Sequence, residues 1–174
     1  DPQKTIENYL HYLDQGGSND QSVKNLLQNV VQEKAFADEL HTQLLQRIQK
    51  FPQAIYYTEL LIWHYIQQQN FKAAIIQAKA LDRRLKENGY RMMNIARAAA
   101  ASGDYDAATE AYKEVIEKGR QATFYLKARE ELLSVYKEKI TSTVNYSVQD
   151  LNALDLRIRD LRMDERRSWG MTFT

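Results

Sequence analysis

The chain predicts an all-α protein in which antiparallel helix pairs pile up side by side, an α-solenoid segment, and three observations carry that prediction. The stretch from Gly89 to Gly119, GYRMMNIARAAAASGDYDAATEAYKEVIEKG, reads as two amphipathic helices joined by one tight turn. Its pattern recurs 34 positions upstream, where Gln69-Asn70-Phe71-Lys72-Ala73-Ala74 stands in for Gly103-Asp104-Tyr105-Asp106-Ala107-Ala108. Two prolines and six glycines in 174 residues leave few helix breakers. With Ala, Leu, Gln, Glu, Lys and Arg abundant, roughly four-fifths of the residues should be helical against a base rate of about a third.

Taken in order, residues 3–14 place Ile6, Tyr9, Leu10 and Leu13 on one face of a first helix, which Gly16-Gly17-Ser18-Asn19 breaks. Asp20 or Ser22 caps the next helix, 21–33, striped by Val23, Leu26, Leu27, Val30 and Val31. A helix over about 35–50 follows with Phe36, Leu40, Leu44, Leu45 and Ile48; Phe51-Pro52 ends it, because the residue before proline leaves helical geometry. Residues 54–69, AIYYTELLIWHYIQQQ, are apolar nearly all round, as a helix packed on more than one side must be. Its partner, 71–86, buries Phe71, Ala74, Ile75, Ala78 and Leu81 and leaves Asp82-Arg83-Arg84 and Lys86-Glu87 in solvent.

In the Gly89–Gly119 pair, Met92, Ile95, Ala96 and Ala99 face Tyr105, Ala108, Ala111, Tyr112, Val115 and Ile116. The alanines let two backbones approach and the tyrosines fill the space left. Thr123 to about Ile140 is a longer helix using Phe124, Leu126, Ala128, Leu132, Leu133, Val135 and Tyr136. Thr141 to Asn145 is unsuited to helix, and Ser147 with Asp150 forms a capping box for a last helix, Val148 to Arg166, which buries Leu151, Leu154, Ile158 and Leu161. Ser168-Trp169-Gly170-Met171-Thr172-Phe173-Thr174 fits no helix and reads as a tail or cut end. The total is about nine helices in a single domain over 1–174.

Bulk chemistry excludes several function classes. Lys+Arg of 24 against Asp+Glu of 23 leaves a net charge of +1, so no polyanion is implied as main ligand. Cysteine is absent, which removes disulfides, thiolate catalysis and cysteine metal sites. No apolar run approaches the roughly 20 residues that cross a bilayer, and no signal peptide is present. The start at Asp1-Pro2, without a methionine, reads as that of a trimmed or mature form. A composition rich in Gln, Asn and Tyr without Cys points to a bacterial envelope or periplasmic protein.

The 34-residue period and its residues resemble the tetratricopeptide repeat family. Where that family has large, Leu, small, Tyr, then Gly, Tyr, Ala, Tyr/Phe, Ala and Pro, this chain has Met92, Ile95, Ala96, Ala99, Gly103, Tyr105, Ala108, Tyr112, Val115 and Arg120. The match is good over 89–122, fair over 55–88 and weak over 21–54; 123–166 is a divergent fourth unit and 1–20 an N-terminal helix. Thr58 replaces Trp, Ala78 replaces the aromatic and Gln69 replaces the turn glycine, departures that touch the turn geometry but not the helix pairing. The resemblance implies an α-α superhelix, a right-handed solenoid whose concave groove is lined by the first helix of each pair.

It also implies which residues face that groove: Asn25, Asn29 and Gln32; Tyr56, Glu59, Trp63 and Ile66; Tyr90, Met93 and Arg97; Phe124, Lys127 and Glu131. The partner-binding set is therefore Tyr56, Glu59, Trp63, Tyr90, Met93, Arg97, Phe124 and Lys127, led by Tyr56, Trp63, Tyr90 and Arg97, since aromatics and arginine anchor interfaces best. Trp63 and Tyr90 suit the core between repeats equally well, because aromatics at helical spacing pack more often than they bind. Family members that grip a terminal carboxylate use Lys and Asn where this chain has Met93, Glu59 and Trp63, and only Asn29 survives of that pattern. An apolar peptide or a partner's surface is the better expectation.

Other motifs weigh little. Arg157, Arg159, Arg162, Arg166 and Arg167 alternate with Asp155, Asp160, Asp164 and Glu165, which reads as a salt-bridged solvated face rather than an anion patch. His11, His41 and His64 are scattered and not spaced as ligands, adjacent Glu130-Glu131 point apart on a helix, and no phosphate loop or nucleophile elbow occurs. Asn145-Tyr146-Ser147 matches a glycosylation acceptor. The expected function is a non-catalytic scaffold that binds a protein or peptide, without cofactor, metal or nucleic acid. The alternative is a targeting or assembly domain of a larger enzyme or envelope protein. An RNA-reading repeat predicts a basic groove and a period of about 35; the charge balance and the 34-residue period oppose it.

Overall fold

A computed structural model of the chain describes residues 1–14, 20–142 and 147–168. The expected break at Gly16 to Asn19, the capping side chain of Asp20, the loop at Thr143 to Asn145 with its acceptor Asn145, and the tail from Trp169 lie outside the described residues. Within them the protein is all-α, with nine helices: α1 (Pro2–Asp14), α2 (Asp20–Val30), α3 (Lys34–Lys50), α4 (Ile55–Gln67), α5 (Phe71–Leu85), α6 (Tyr90–Ala101), α7 (Tyr105–Ile116), α8 (Tyr125–Ser142) and α9 (Val148–Ser168). The chain divides into two compact units, Asp1–Leu81 and Asp82–Thr174.

Helix ends follow from identifiable chemistry. α2 stops at Val30, short of the expected 33, because Val31 to Glu33 turn the chain into α3 through Glu33 N–H on the Val30 carbonyl at 3.2 Å. α8 starts at Tyr125 rather than Thr123, after Ala122 N–H has closed a turn on the Gly119 carbonyl at 3.0 Å. It runs on to Ser142 because the Thr141 and Ser142 hydroxyls bond back to the carbonyls of Lys137 and Lys139, both at 3.0 Å, so these poor helix formers remain in the last turn. The capping box at α9 forms reciprocally: Asp150 N–H donates to Ser147 Oγ at 3.1 Å and Ser147 N–H to Asp150 Oδ2 at 2.9 Å. The Ser147 N–H, with the Ser147 hydroxyl donating to the same Oδ2 at 2.7 Å, holds the Asp150 carboxyl below its usual range. α9 then extends to Ser168, two residues past the expected end.

In the first unit α1 packs on α2 and α3, and α4 packs on the same two helices. Ile6, Leu10, Val23, Leu27, Val31, Ala37, Leu40, Leu44, Tyr57, Leu60 and Leu61 form one buried cluster, with Trp63 and Tyr65 packed against it. α4 buries Tyr57, Leu60, Leu61, Ile62 and His64, which is more than one face of a helix. Truncating any fully buried leucine here costs about 2–5 kcal/mol. In the second unit α6 packs on α7, α7 on α8 and α8 on α9. Ala96, Ala99 and Ala108 are completely buried and Tyr112 is 2% exposed, which is the large-into-small packing expected for this pair.

The turns repeat with the sequence. After α6, Asp104 N–H reaches the Ala99 carbonyl at 2.9 Å, and Asp104 Oδ1 accepts from Ala107 N–H at 3.0 Å. Thirty-four residues earlier, Asn70 N–H reaches the Tyr65 carbonyl at 2.8 Å, and Asn70 Oδ1 accepts from Ala73 N–H at 3.3 Å. The left-handed residue of the first turn is Gly103, at φ +81°, and of the second Gln69, at φ +53°. Gln69 therefore builds the same turn as the glycine at some cost in strain. Burial repeats too: Leu27, Leu61 and Ile95 are buried at one phase, and Ile6, Leu40, Ala74 and Ala108 at another. α1 thus carries the pattern of a second helix of a pair.

Candidate functional site

In the second unit one cavity and one set of cross-helix polar contacts lie on α6, α7 and α8. Arg97 on α6 forks onto Glu131 on α8, with Nε on Oε2 and Nη2 on Oε1, both at 2.8 Å. The Tyr112 hydroxyl of α7 donates to the same Oε2 at 2.8 Å, and Lys127 Nζ lies 3.9 Å from Oε1 while pairing with Glu130 at 2.9 Å. Burial pushes the Glu131 carboxyl up, but the donors Arg97 and Tyr112 outweigh it and hold it below the usual range. Burial, with Glu131 behind it, pushes the Tyr112 phenol up, so it remains a donor throughout the ordinary pH range. An open cavity of about 350 Å³ lies here, lined by Arg97, Ala100, Tyr112, Glu131, Ser134, Val135 and Glu138.

Of the residues singled out from sequence, Tyr56, Glu59 and Trp63 lie on α4 in the first unit; Tyr90, Met93, Arg97, Phe124 and Lys127 lie in the second. Tyr56 is exposed, its ring 4.3 Å from that of Tyr57, while Glu59 is half-buried and Trp63 is half-buried against the unit's core. Tyr90 is half-buried with the Arg91 guanidinium 4.5 Å over its ring, and Phe124 is half-buried. Arg97 and Lys127 are exposed and meet through Glu131. Met93 is 1% exposed: both it and Met92 turn into the core, because α6 buries two adjacent faces.

Three groupings escaped the sequence reading. Asp82, expected in solvent, is 2% exposed; its Oδ1 accepts from the buried Arg91 at 3.1 Å and its Oδ2 lies 3.7 Å from Lys118 Nζ. Glu87 also pairs with Arg91, and Lys118 donates to the Glu87 carbonyl at 3.2 Å. Gly89 sits under Lys118 at φ +89°, a left-handed backbone that favours glycine, and a Cβ there would lie 3.0 Å from Lys118 Cε. Asp164, expected on a solvated face, is 6% exposed and bonded to Tyr125, Arg120 and Arg129. Arg159 does pair with Asp155 along α9, at 2.6 Å, whereas Arg157 stacks 3.9 Å over the Tyr136 ring of α8.

The third grouping is His41 with His64, far apart in sequence but with ring centroids 5.9 Å apart and Tyr65 against both. His64 is 3% exposed and its Nδ1 has no hydrogen-bond partner. Among the described residues no three His, Asp or Glu side chains come together to hold a metal ion, and no helix is long and apolar enough to cross a membrane.

No protein-family model, curated protein or solved structure matches the chain. What the α6–α8 face can do chemically is therefore read from its groups. A forked guanidinium, an ammonium and a phenol arranged around one half-buried carboxylate suit polar docking of another surface, with the cavity taking a side chain.

Proposed function

We propose that the protein is a tetratricopeptide-like helical-repeat scaffold that docks a partner protein or peptide and performs no catalysis of its own. What supports this is the 34-residue recurrence of turn hydrogen bonds and buried positions, which repeat units that stack on one another would have. The α6–α8 face supplies the docking chemistry, and Arg97 and Lys127 are its exposed cations. A partner carboxylate would compete with Glu131 for Arg97, which makes binding sensitive to salt. Charge balance along the chain argues against nucleic acid as that partner.

The test uses chemical cross-linking of the full chain in extract of its source cell. Arg97→Ala/Lys127→Ala is compared with Glu110→Ala/Lys113→Ala, exposed positions on α7, after circular dichroism has shown equal helicity. Loss of a cross-linked partner only with the first pair supports the reading. Retention of every partner with both pairs removes this face from the function.

A further inference from the structure

The loop after α7, the first turn of α8 and the last turns of α9 enclose a cavity of about 400 Å³, lined by Arg120, Gln121, Tyr125, Leu126, Asp164 and Arg167. We propose that it binds a small organic carboxylate, received by Arg120 and Arg167, with Leu126 and the Tyr125 ring against its apolar body. This goes beyond the docking face and does not depend on it.

The count of charges carries the inference. Asp164 is buried and fully engaged: Oδ1 takes Arg120 Nη2 at 2.9 Å, while Oδ2 takes the Tyr125 hydroxyl at 3.0 Å and the guanidinium of Arg129. One carboxylate thus answers two guanidiniums, and Arg167 at the rim adds a third. Among the described residues that line the cavity, two guanidiniums, Arg120 and Arg167, stand against the one carboxylate of Asp164. Asp164 holds Arg120 through Nη2, and that guanidinium is half-exposed, so it can turn donors toward a ligand. The N-terminal end of α8 opens on the same space through Tyr125 and Leu126, so the helix dipole adds to the attraction. The volume is that of a small-molecule site. A carboxylate with an apolar body uses both the cations and the Leu126–Tyr125 wall, whereas inorganic phosphate uses only the cations.

The experiment titrates the full chain with benzoate, and separately with inorganic phosphate, following backbone amide shifts by NMR. Saturable benzoate binding is expected with a dissociation constant on the order of 1 mM. The largest shifts should fall on residues 119–127 and 161–168. Arg120→Gln and Arg167→Gln should each weaken it at least about tenfold, and Arg159→Gln, whose partner is Asp155, should leave it unchanged. Arg120→Gln also perturbs Asp164, so Arg167→Gln decides: it is exposed, and its fold is verified by the unshifted remainder of the spectrum. Absence of saturable benzoate binding overturns the proposal. So does binding that survives Arg167→Gln, or phosphate binding as tightly as benzoate.

Discussion

Acid should loosen the first unit through His64. Burial lowers the pKa of this imidazole from 6.5 to about 4; the neighbouring His41 pushes the same way, and Asp38 opposes them. The unfolded chain therefore takes up a proton on His64 below pH 6.5, whereas the folded unit takes it up only near pH 4. Stability is complete above the unfolded value and falls as pH drops through that window. A difference of about 2.5 units, at 1.36 kcal/mol each, amounts to about 3 kcal/mol. Trp63, next in sequence and packed on the same core, is the reporter. The other tryptophan, Trp169, is silenced as Phe.

Urea unfolding followed at Trp63 between pH 7.5 and 4 should show that loss, and His64→Leu should show about 3 kcal/mol less of it. At neutral pH the leucine variant should be nearly as stable as the parent, since it removes a ring nitrogen that has no partner. An imidazole resonance of His64 titrating near 6.5, or equal acid sensitivity in the variant, would refute the reasoning.

Three further outcomes are expected. Ala108→Leu forces a larger side chain into the fully buried α6–α7 contact and should cost about 1–3 kcal/mol; an unchanged thermal midpoint would show that the helices can part to admit it. Gly103→Val should cost about 1–2 kcal/mol from backbone strain alone, because a Cβ there meets nothing within 4 Å, and calorimetry that finds parental stability would contradict this. Arg91→Leu leaves Asp82 buried 3.7 Å from Lys118 and takes the same partner from Glu87, and should cost about 3–5 kcal/mol. The double variant Asp82→Leu/Arg91→Leu, which removes the buried carboxylate as well, should regain part of that loss in denaturant titration, and a double variant no more stable than Arg91→Leu would place the cost outside the Asp82 pair.

The helices were legible because their apolar residues recur at three- and four-residue spacing and the turns carry Gly103-Asp104, Gln69-Asn70 and Phe51-Pro52. The Ala108 packing and the Ser147–Asp150 cap were legible for the same local reason. Charge burial was not. Asp82-Arg83-Arg84 reads as a solvated run, and only the approach of Arg91 across the next turn, with Lys118 arriving from the end of α7, makes a carboxylate tolerable there. Asp164 misled likewise: its neighbours on α9 offer nearby partners, yet it turns inward to cations on α8 and the preceding loop. His41 and His64 meet only because α3 packs on α4, a contact no spacing within one helix announces. Met93 was assigned outward from its repeat position, but α6 is covered on two sides.

Gln69, Lys86 and Gly103 all adopt left-handed backbone, at φ +53°, +54° and +81°, and they stand 17 positions apart, half the repeat period. Every one of these three helix ends is thus closed by the same hand, though only the last has a residue free of steric penalty there. The chain consequently holds unused thermal tolerance at two solvent-facing spots: Gln69→Gly and Lys86→Gly are the substitutions with which an engineer would begin.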